Sequence, residues 1–379
     1  MYEFFPGNYA WSQAALRAMF VGGSPGDVML AAERLSDADG ARPEAWYAVW
    51  SEIAATAANR AAERLSRGHR LSAAAGFLRA SISTQWAIAF LGPGDAERAA
   101  GHRRSVELFG SFAALADPLI VRREVPYLDG SFPAWLVLPK PAGSSPVPGA
   151  IYLPGWDSTK EQGIGVALAL AERGIATLLC DGPGIGEAVA ERGLVNRYDY
   201  EVPGRAAFDA LAAEPGIDPD RIAVVGSSLG GYRAARFAAF EPRLRAAVIW
   251  GAIWDFGRVW RRQLAQPGSA LPTSLAHALH VTGAATVEEV TRELDRWTLD
   301  GVADQISCPL LVLHGAADSQ IPVADAERLV EDARSSEKHL RIFGVDEGGS
   351  AHCQNDNRIL AHEEIGDWLV DVLAGAGQG

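Results

Sequence analysis

From Pro43 to Arg67 the apolar residues Trp46, Tyr47, Trp50, Ile53 and Ala54 fall on one face at helical spacing. The alanine-rich stretches Leu71 to Leu91 and Ala96 to Leu115 repeat the habit with strong helix formers. Asp95, after Gly-Pro-Gly, is placed to cap the last of them. Nothing before residue 118 has the rhythm of a βαβ unit, so residues 1–118 are predicted to form a separate helical domain of roughly five helices.

Around Asp117-Pro118 the pattern changes. Leu119 to Pro126 and Phe132 to Leu138 alternate like an antiparallel pair, with Asp129-Gly130 as the turn, and the Pro/Gly/Ser cluster Pro139 to Pro148 reads as a surface loop. Short apolar runs then alternate with amphipathic stretches: strand Ala150 to Leu153, helix Gln162 to Arg173, strand Ala176 to Cys180, helix Pro203 to Ala213, strand Ile222 to Val225, helix Tyr232 to Phe240, strand Ala246 to Trp250. Strands with no polar alternation, separated by helices, imply a mostly parallel sheet covered on both faces. The rhythm breaks over residues 252–306, rich in tryptophan and arginine, which are expected to form a helical lid; ordinary surface helices would read the same way. It resumes with strand Pro309 to Leu313, helix Val323 to Ala333, strand His339 to Phe343 and helix Arg358 to Leu373, and Ala374 to Gly379 is expected to be a frayed tail. Residues 119–379 thus form the second domain.

One junction in this series carries chemistry. The run Ile222 to Val225 ends in Gly226, and Gly226, Ser228 and Gly230 make G-x-S-x-G with a helix immediately after. A serine exposed on a sharp strand-to-helix turn needs a strained backbone and close approach of its flanks, so side chains must be missing two residues before and two after it. Of the serine pair only Ser228 has glycine at both offsets. The motif alone could be a flexible turn; the strand before it and the helix after it separate the two readings.

A serine hydroxyl also needs a base to take its proton and a carboxylate to hold that base in the right tautomer. In such a sheet the partners follow in the order Ser, acid, His on later loops. Leu311-Val-Leu-His-Gly-Ala-Ala-Asp318 is a strand running into an acid-bearing loop, and Gly348-Gly-Ser-Ala-His352 is a glycine-rich loop before the last helix. Of eight histidines only His352 combines a post-strand loop with the required order; His314, beside a turn glycine, is expected to brace its loop. Asp346 and Glu347 compete with Asp318 but share the histidine's own loop. Two backbone N–H groups should stabilise the developing oxyanion: Leu229, which opens the helix, and Trp156, from the loop after Leu153, since Pro154 cannot donate.

Composition narrows the partners. The chain has 379 residues, 48% hydrophobic, with net charge −13 and pI near 5.1. That charge argues against a nucleic-acid groove or an anionic membrane surface. No apolar run reaches spanning length and no leader pattern opens the chain, so a cytoplasmic protein is expected. Cys180, Cys308 and Cys353 form no C-x-x-C and read as free thiols. No His/Cys/Glu set has metal-ligand spacing and no glycine loop is placed for a dinucleotide, so neither metal nor cofactor is expected.

The helical N-terminal layer, Pro-Gly-Trp-Asp-Ser-Thr-Lys-Glu161, Asp181-Gly-Pro-Gly-Ile-Gly-Glu187, Gly-Ser-Ser-Leu-Gly-Gly231 and the Asp318 and His352 loops together resemble the α/β-hydrolase branch that includes 2,6-dihydroxypseudooxynicotine hydrolase and fungal polyketide-shortening (heptaketide) hydrolases. The resemblance implies an α/β-hydrolase fold with an N-terminal helical domain, a crevice between the two domains, and a homodimer. It also implies a serine hydrolase that cleaves a carbon–carbon bond next to a ketone by retro-Claisen chemistry in an aromatic or polyketide-type substrate. An acidic side chain near the histidine is expected from the same source, with Glu161 or Asp157 as candidates. Trp156, Trp254, Trp260 and Arg258 are candidates to line the pocket. The same residues would serve an esterase, lactonase or thioesterase, or an acyltransferase or cyclase, and a non-catalytic binding protein could keep the fold.

Overall fold

The computed structural model describes residues 3–35, 42–140, 143, 145–265 and 275–374. The chain divides into two compact units near residue 120. The first contains α1 (Tyr9–Phe20), α2 (Pro25–Leu35), α3 (Pro43–Ser66), α4 (Arg70–Ala87) and α5 (Ala96–Ala113). Pro43 opens α3, where its missing N–H costs nothing. The buried face of α3 carries Trp46, Trp50, Ile53, Ala54, Ala57 and Ala61. Trp46 is the centre of an aromatic cluster with Trp11 at 5.0 Å, Phe90 at 5.1 Å and Trp50 at 5.4 Å, and its indole N–H donates to the carbonyl of Trp86 over 2.7 Å. Asp95 stands at the start of α5, but its carboxylate turns back to accept from Gly92 N–H at 2.6 Å and does not cap the helix.

The second unit is built on an eight-stranded sheet with order β1-β2-β4-β3-β5-β6-β7-β8. Its elements are β1 (Ile120–Tyr127), β2 (Gly130–Val137), β3 (Val147–Leu153), α6 (Ile164–Glu172), β4 (Ala176–Cys180), α7 (Gly186–Ala190), α8 (Glu201–Ala212), β5 (Ile217–Ser227), α9 (Leu229–Phe240) and β6 (Ala246–Trp250). After these come α10 (Phe256–Ala265), α12 (Val287–Leu294), β7 (Leu310–Gly315), α13 (Val323–Asp332), β8 (Lys338–Phe343) and α14 (Arg358–Leu373); α11 (Leu275–Thr282), between α10 and α12, belongs through His280 to the first unit. β2 runs antiparallel to β4, and β3 to β8 are parallel. Every residue of β4, β6 and β7 is buried, as strands covered on both faces must be.

The strand order decides where a site can form. The chain steps from β3 through α6 to β4 on one side, then returns over β3 through α8 to β5 on the other. Right-handed crossovers in opposite directions put α6 and α8 on opposite faces. The carboxyl ends of β3 and β5, paired as Leu153 with Gly226, therefore open onto the crevice of a topological switch point.

Several boundaries differ from the sequence reading. The hairpin turn is Leu128-Asp129, with the left-handed residue Leu128 (φ 50°), and Gly130 already belongs to β2. β3 begins at Val147, inside the stretch expected to be loop, because Val147 N–H reaches the carbonyl of Gly216. Residues 141, 142 and 144 of that loop and 375–379 of the expected tail lie outside the described residues. The 252–306 stretch is not one lid: α10 and α12 belong to the sheet unit, while chain ending at His280 belongs to the helical unit, where the His277 ring lies 3.4 Å from Arg98. Residues 266–274 lie outside the described residues. None of the described helices is long and apolar enough to cross a membrane.

α3 and α4 approach closely because Gly76 offers no side chain; a Cβ there would come within 2.8 Å of Ala61 Cβ. Gly76→Val is expected to cost about 1–3 kcal/mol through overpacking. Denaturant unfolding followed by tryptophan fluorescence would show a lowered midpoint, and an unchanged midpoint would mean that the two helices separate without loss.

Candidate active site

The turn between β5 and α9 is strained as its sequence requires. Ser228 has φ 57° and ψ −123°, outside the ordinary regions for a residue with a side chain. Its neighbours pay no steric penalty only because they are glycines: a Cβ on Gly226 would lie 1.9 Å from the carbonyl oxygen of Gly230, and one on Gly230 would lie 2.0 Å from that of Leu153. Ser228 N–H donates to the carbonyl of Trp250 over 2.7 Å, fixing the turn to the end of β6. The preceding serine is used otherwise. Ser227 ends β5, and its hydroxyl shares a 2.8 Å hydrogen bond with the hydroxyl of Tyr152.

Ser228, Asp318 and His352 come together from three loops at the carboxyl edge of the sheet. His352 Nε2 is 2.8 Å from Ser228 Oγ, and His352 Nδ1 is 2.6 Å from Asp318 Oδ2. A carboxylate only accepts, so the proton sits on Nδ1 and the Nε2 lone pair faces the serine hydroxyl. Asp318 Oδ1 accepts from the N–H groups of Gln320 at 2.8 Å and Ile321 at 3.0 Å. Burial pushes the Asp318 carboxyl up, but His352 and these donors outweigh it and hold it below its usual value. Burial likewise pushes the His352 imidazole down, and the Asp318 charge overcomes it and holds the ring well above the usual histidine value.

The acid and histidine loops are stitched to each other. Ala316 N–H donates to Phe343 O and Ala317 N–H to Ser350 O, each over 2.9 Å, and a Cβ on Gly315 would lie 2.2 Å from Ser350 O. Asp356 accepts from the N–H groups of Ser350 and Ala351. His314, fully buried, donates Nε2–H to the carbonyl of Ile321 at 3.1 Å and so braces the Asp318 loop from inside; burial holds its pKa down. Cys353, with φ 48°, places Sγ 3.4 Å from the carbonyl of Trp250, and Gln354 accepts from the Trp250 indole at 2.6 Å.

The loop after β3 lies against the serine. A Cβ on Gly155 would meet Ser228 Cβ at 3.2 Å, so the chain at Gly155 runs beside Ser228, and Leu229 opens α9 directly after it. The Trp156 ring is buried among Phe256 at 5.1 Å and Trp297 at 6.4 Å, and Trp297 stacks on Tyr232 at 5.5 Å. Trp297, Phe256 and Tyr232 escaped the sequence reading because apolar aromatic residues in a helical stretch read as ordinary core.

The other candidates have partners of their own. Glu161 is wholly buried, accepts from the Trp135 indole at 3.0 Å, and lies 2.7 Å from Lys160 Nζ. Lys160 Nζ also reaches Asp181 at 2.8 Å and Glu187 at 2.5 Å, and Lys160 N–H donates to Asp181. The three carboxylates, with oxygens within 4.8 Å of one another, thus surround one ammonium. Burial opposes the charge on Lys160, but the carboxylates raise its pKa; Lys160 and Arg122 hold Glu187 down at about 2 against its own burial. Asp157 is half-buried in the loop beside Trp156. Trp254 donates its indole N–H to Asp300 at 3.0 Å beneath the Arg328 guanidinium, 3.9 Å away, and Trp260 donates to Thr291 at 3.0 Å. Arg258 pairs with Asp325. Trp260 and Arg258 thus fasten α10 to α12 and α13, and Trp254, just before α10, is held by Asp300 and Arg328. Lys160 and Glu187 were read past because each stands in a loop motif whose partners are far off in sequence.

Comparison with known proteins agrees with this geometry. Residues 166–376 match the model of the prolyl oligopeptidase family. The chain is 32% identical to 2,6-dihydropseudooxynicotine hydrolase of Paenarthrobacter nicotinovorans over 92% of its own length and 91% of that protein's. It is 30% identical to 20-hydroxy-prefusarin hydrolase of Gibberella moniliformis, covering 98% and 97% of the two chains. The crystal structure of 2,6-dihydroxy-pseudo-oxynicotine hydrolase superposes with a TM-score of 0.79 at 31% identity over 95% of each chain. AbyA5, at 22% identity over 90% of this chain and 96% of that one, shares the fold with a TM-score of 0.65. The chain is a hydrolase of the α/β class and belongs to the prolyl oligopeptidase family.

Proposed function

We propose that this chain is a serine hydrolase of small molecules in which Ser228 is the nucleophile, His352 the general base and acid, and Asp318 the residue that orients and charges the histidine. The observation that carries the reading is the unbroken hydrogen-bond chain from Asp318 through His352 to a serine on a strained strand-to-helix turn. The bond attacked is a carbon–carbon bond next to a ketone. The near full-length likeness to 2,6-dihydropseudooxynicotine hydrolase supports this finer reading, through the branch resemblance described above.

The steps balance without a further reagent. Ser228 Oγ attacks the ketone carbon as its proton passes to His352 Nε2, and the carbonyl electron pair becomes an oxyanion facing the Leu229 and Trp156 N–H groups. Collapse reforms the carbonyl and breaks the adjacent carbon–carbon bond; the departing carbon keeps the electron pair and takes the proton from His352. Water, deprotonated by His352, then attacks the acyl-enzyme, and Ser228 leaves with that proton to give a carboxylic acid. The leaving carbon must be stabilised by a second carbonyl or an aromatic ring.

Wild type and Ser228→Ala should be exposed to a fluorophosphonate and, separately, to aryl β-diketones and aryl esters, with products followed by mass spectrometry. The expected result is phosphonylation of wild type alone and cleavage of a diketone into acid and ketone. Labelling with cleavage of esters only would overturn the carbon–carbon assignment, and no labelling of Ser228 would overturn the nucleophile.

Asp318→Asn should lower kcat on the order of 10³–10⁴-fold. Activity needs neutral His352, so kcat/KM falls as pH drops through that residue's pKa. Because Asp318 raises this pKa, the acid-side midpoint of wild type should lie above 6.5. In Asp318→Asn the largest opposition to burial is gone and the midpoint should move down; a pH profile with the same midpoint in both proteins would contradict the assignment.

A further inference from the structure

Arg233 lies on α9, five residues beyond Ser228, and its side chain is wholly inside the protein. A guanidinium removed from water ordinarily requires a counter-charge. Lys160 has three carboxylates, and Arg236, three residues along the same helix, pairs with both oxygens of Glu201 at 2.8 Å. Arg233 has no carboxylate within ion-pair distance among the described residues. Its partners are neutral: one terminal nitrogen donates to the carbonyl of Pro154 at 2.6 Å, the other to Asn196 Oδ1 at 3.0 Å, and the group lies 4.8 Å from the centre of the Tyr200 ring. Its Nε, the Asn196 amide nitrogen and the Tyr200 hydroxyl are buried without hydrogen-bond partners among the described residues. Burial holds the Arg233 pKa below its usual value. This is a charge whose cost the fold itself does not offset.

The Pro154 carbonyl indicates what the charge is for. It belongs to the peptide unit that carries the Gly155 N–H, at the start of the turn lying against Ser228. The turn leaves β3 at Leu153, whose carbonyl is wedged against Gly230, and its far end is tied by Lys160 to Asp181 and Glu187. Arg233 supplies the clamp at the near end. A charged donor on the Pro154 carbonyl fixes the orientation of that peptide, and with it the course of the chain into Gly155 and Trp156. A positive charge fixed behind the turn also favours negative charge developing in front of it. Asn196 holds the guanidinium in plane, since its own N–H is anchored to the carbonyl of Val281 at 2.6 Å and its side chain lies against Gly184.

We propose that Arg233 is a positioning residue that holds the Pro154–Gly155–Trp156 turn as one side of the oxyanion hole and sets a positive charge behind it. The assignment rests on reading Ser228 as the nucleophile. It accounts for an unpaired buried charge by a role in the transition state, where the turn meets an anion that the resting protein does not contain.

The test compares wild type, Arg233→Met and Arg233→Lys by fluorophosphonate titration of active sites, steady-state kinetics on a hydrolysed aryl substrate, and thermal unfolding. Arg233→Met should lower kcat per titrated site about 10–100-fold, with KM within about twofold. Its unfolding midpoint should be equal to or above that of wild type, because an unpaired buried charge has been replaced by an apolar side chain. Arg233→Lys should recover part of kcat. Unchanged kcat per titrated site in Arg233→Met overturns the inference, as does a loss of kcat that accompanies a lower midpoint and is not recovered by lysine, which would mark a packing role. Should Arg233→Met fail to fold, Arg233→Gln, which keeps a donor without the charge, is judged by the same criteria. Failure of wild type to label at Ser228 would remove the nucleophile; labelling with an indifferent Arg233→Met would remove only the role of Arg233.

Discussion

No side chain fits between Gly230 and the carbonyl of Leu153, and the rest of the site depends on that contact. It brings the first turn of α9 up against the end of β3, so the loop leaving β3 is forced to pass beside Ser228. The same contact explains why the turn tolerates a serine at φ 57°. The conformation is unfavourable for an isolated residue and is over-determined by its surroundings, through the Gly226–Gly230 approach and the Ser228 N–H bond to Trp250.

Around this contact the protein disposes its buried charges unevenly. Lys160 is surrounded by carboxylates and ties two successive loops of the sheet, those after β3 and β4, into one piece. Arg233 stands apart without a counter-ion among the described residues, its terminal nitrogens donating to a backbone carbonyl and an amide. A buried pair with satisfied partners resists disruption strongly even where it adds little net stability. The two cations therefore act differently: one fixes loops relative to the sheet, and the other places positive potential behind a turn.

Much of the fold was legible because parallel strands buried on both faces have no polar alternation to confuse them. Ala176 to Cys180 and Ala246 to Trp250 stand in the structure at the residues read from the chain. Ser228, Asp318 and His352 could be singled out because glycine offsets and chain order are local or ordinal signals, which survive without coordinates. Glu161 was singled out through the resemblance alone, and its burial beside Trp135, Asp181 and Glu187, which come from other elements, left no local signal. The indole partners of Trp254 and Trp260 were equally out of reach of a local pattern: Asp300 and Thr291 lie 46 and 31 residues away. Arg233 carried no local signal at all, since on a helix an arginine without a nearby acid reads as surface.

The carbonyl of Trp250 receives Ser228 N–H from one side and Cys353 Sγ from the other. The serine rides on one rigid piece, the β5–α9 turn, and the histidine on another, the stitched pair of loops that also carries Asp318. Their separation is thus referenced to a single oxygen at the tip of β6, much as two instrument arms are aligned from one fixed pin. Small displacements of that tip would misalign the arms while leaving each internally intact, so reactivity in this protein is a tolerance held by a strand end that takes no part in the chemistry.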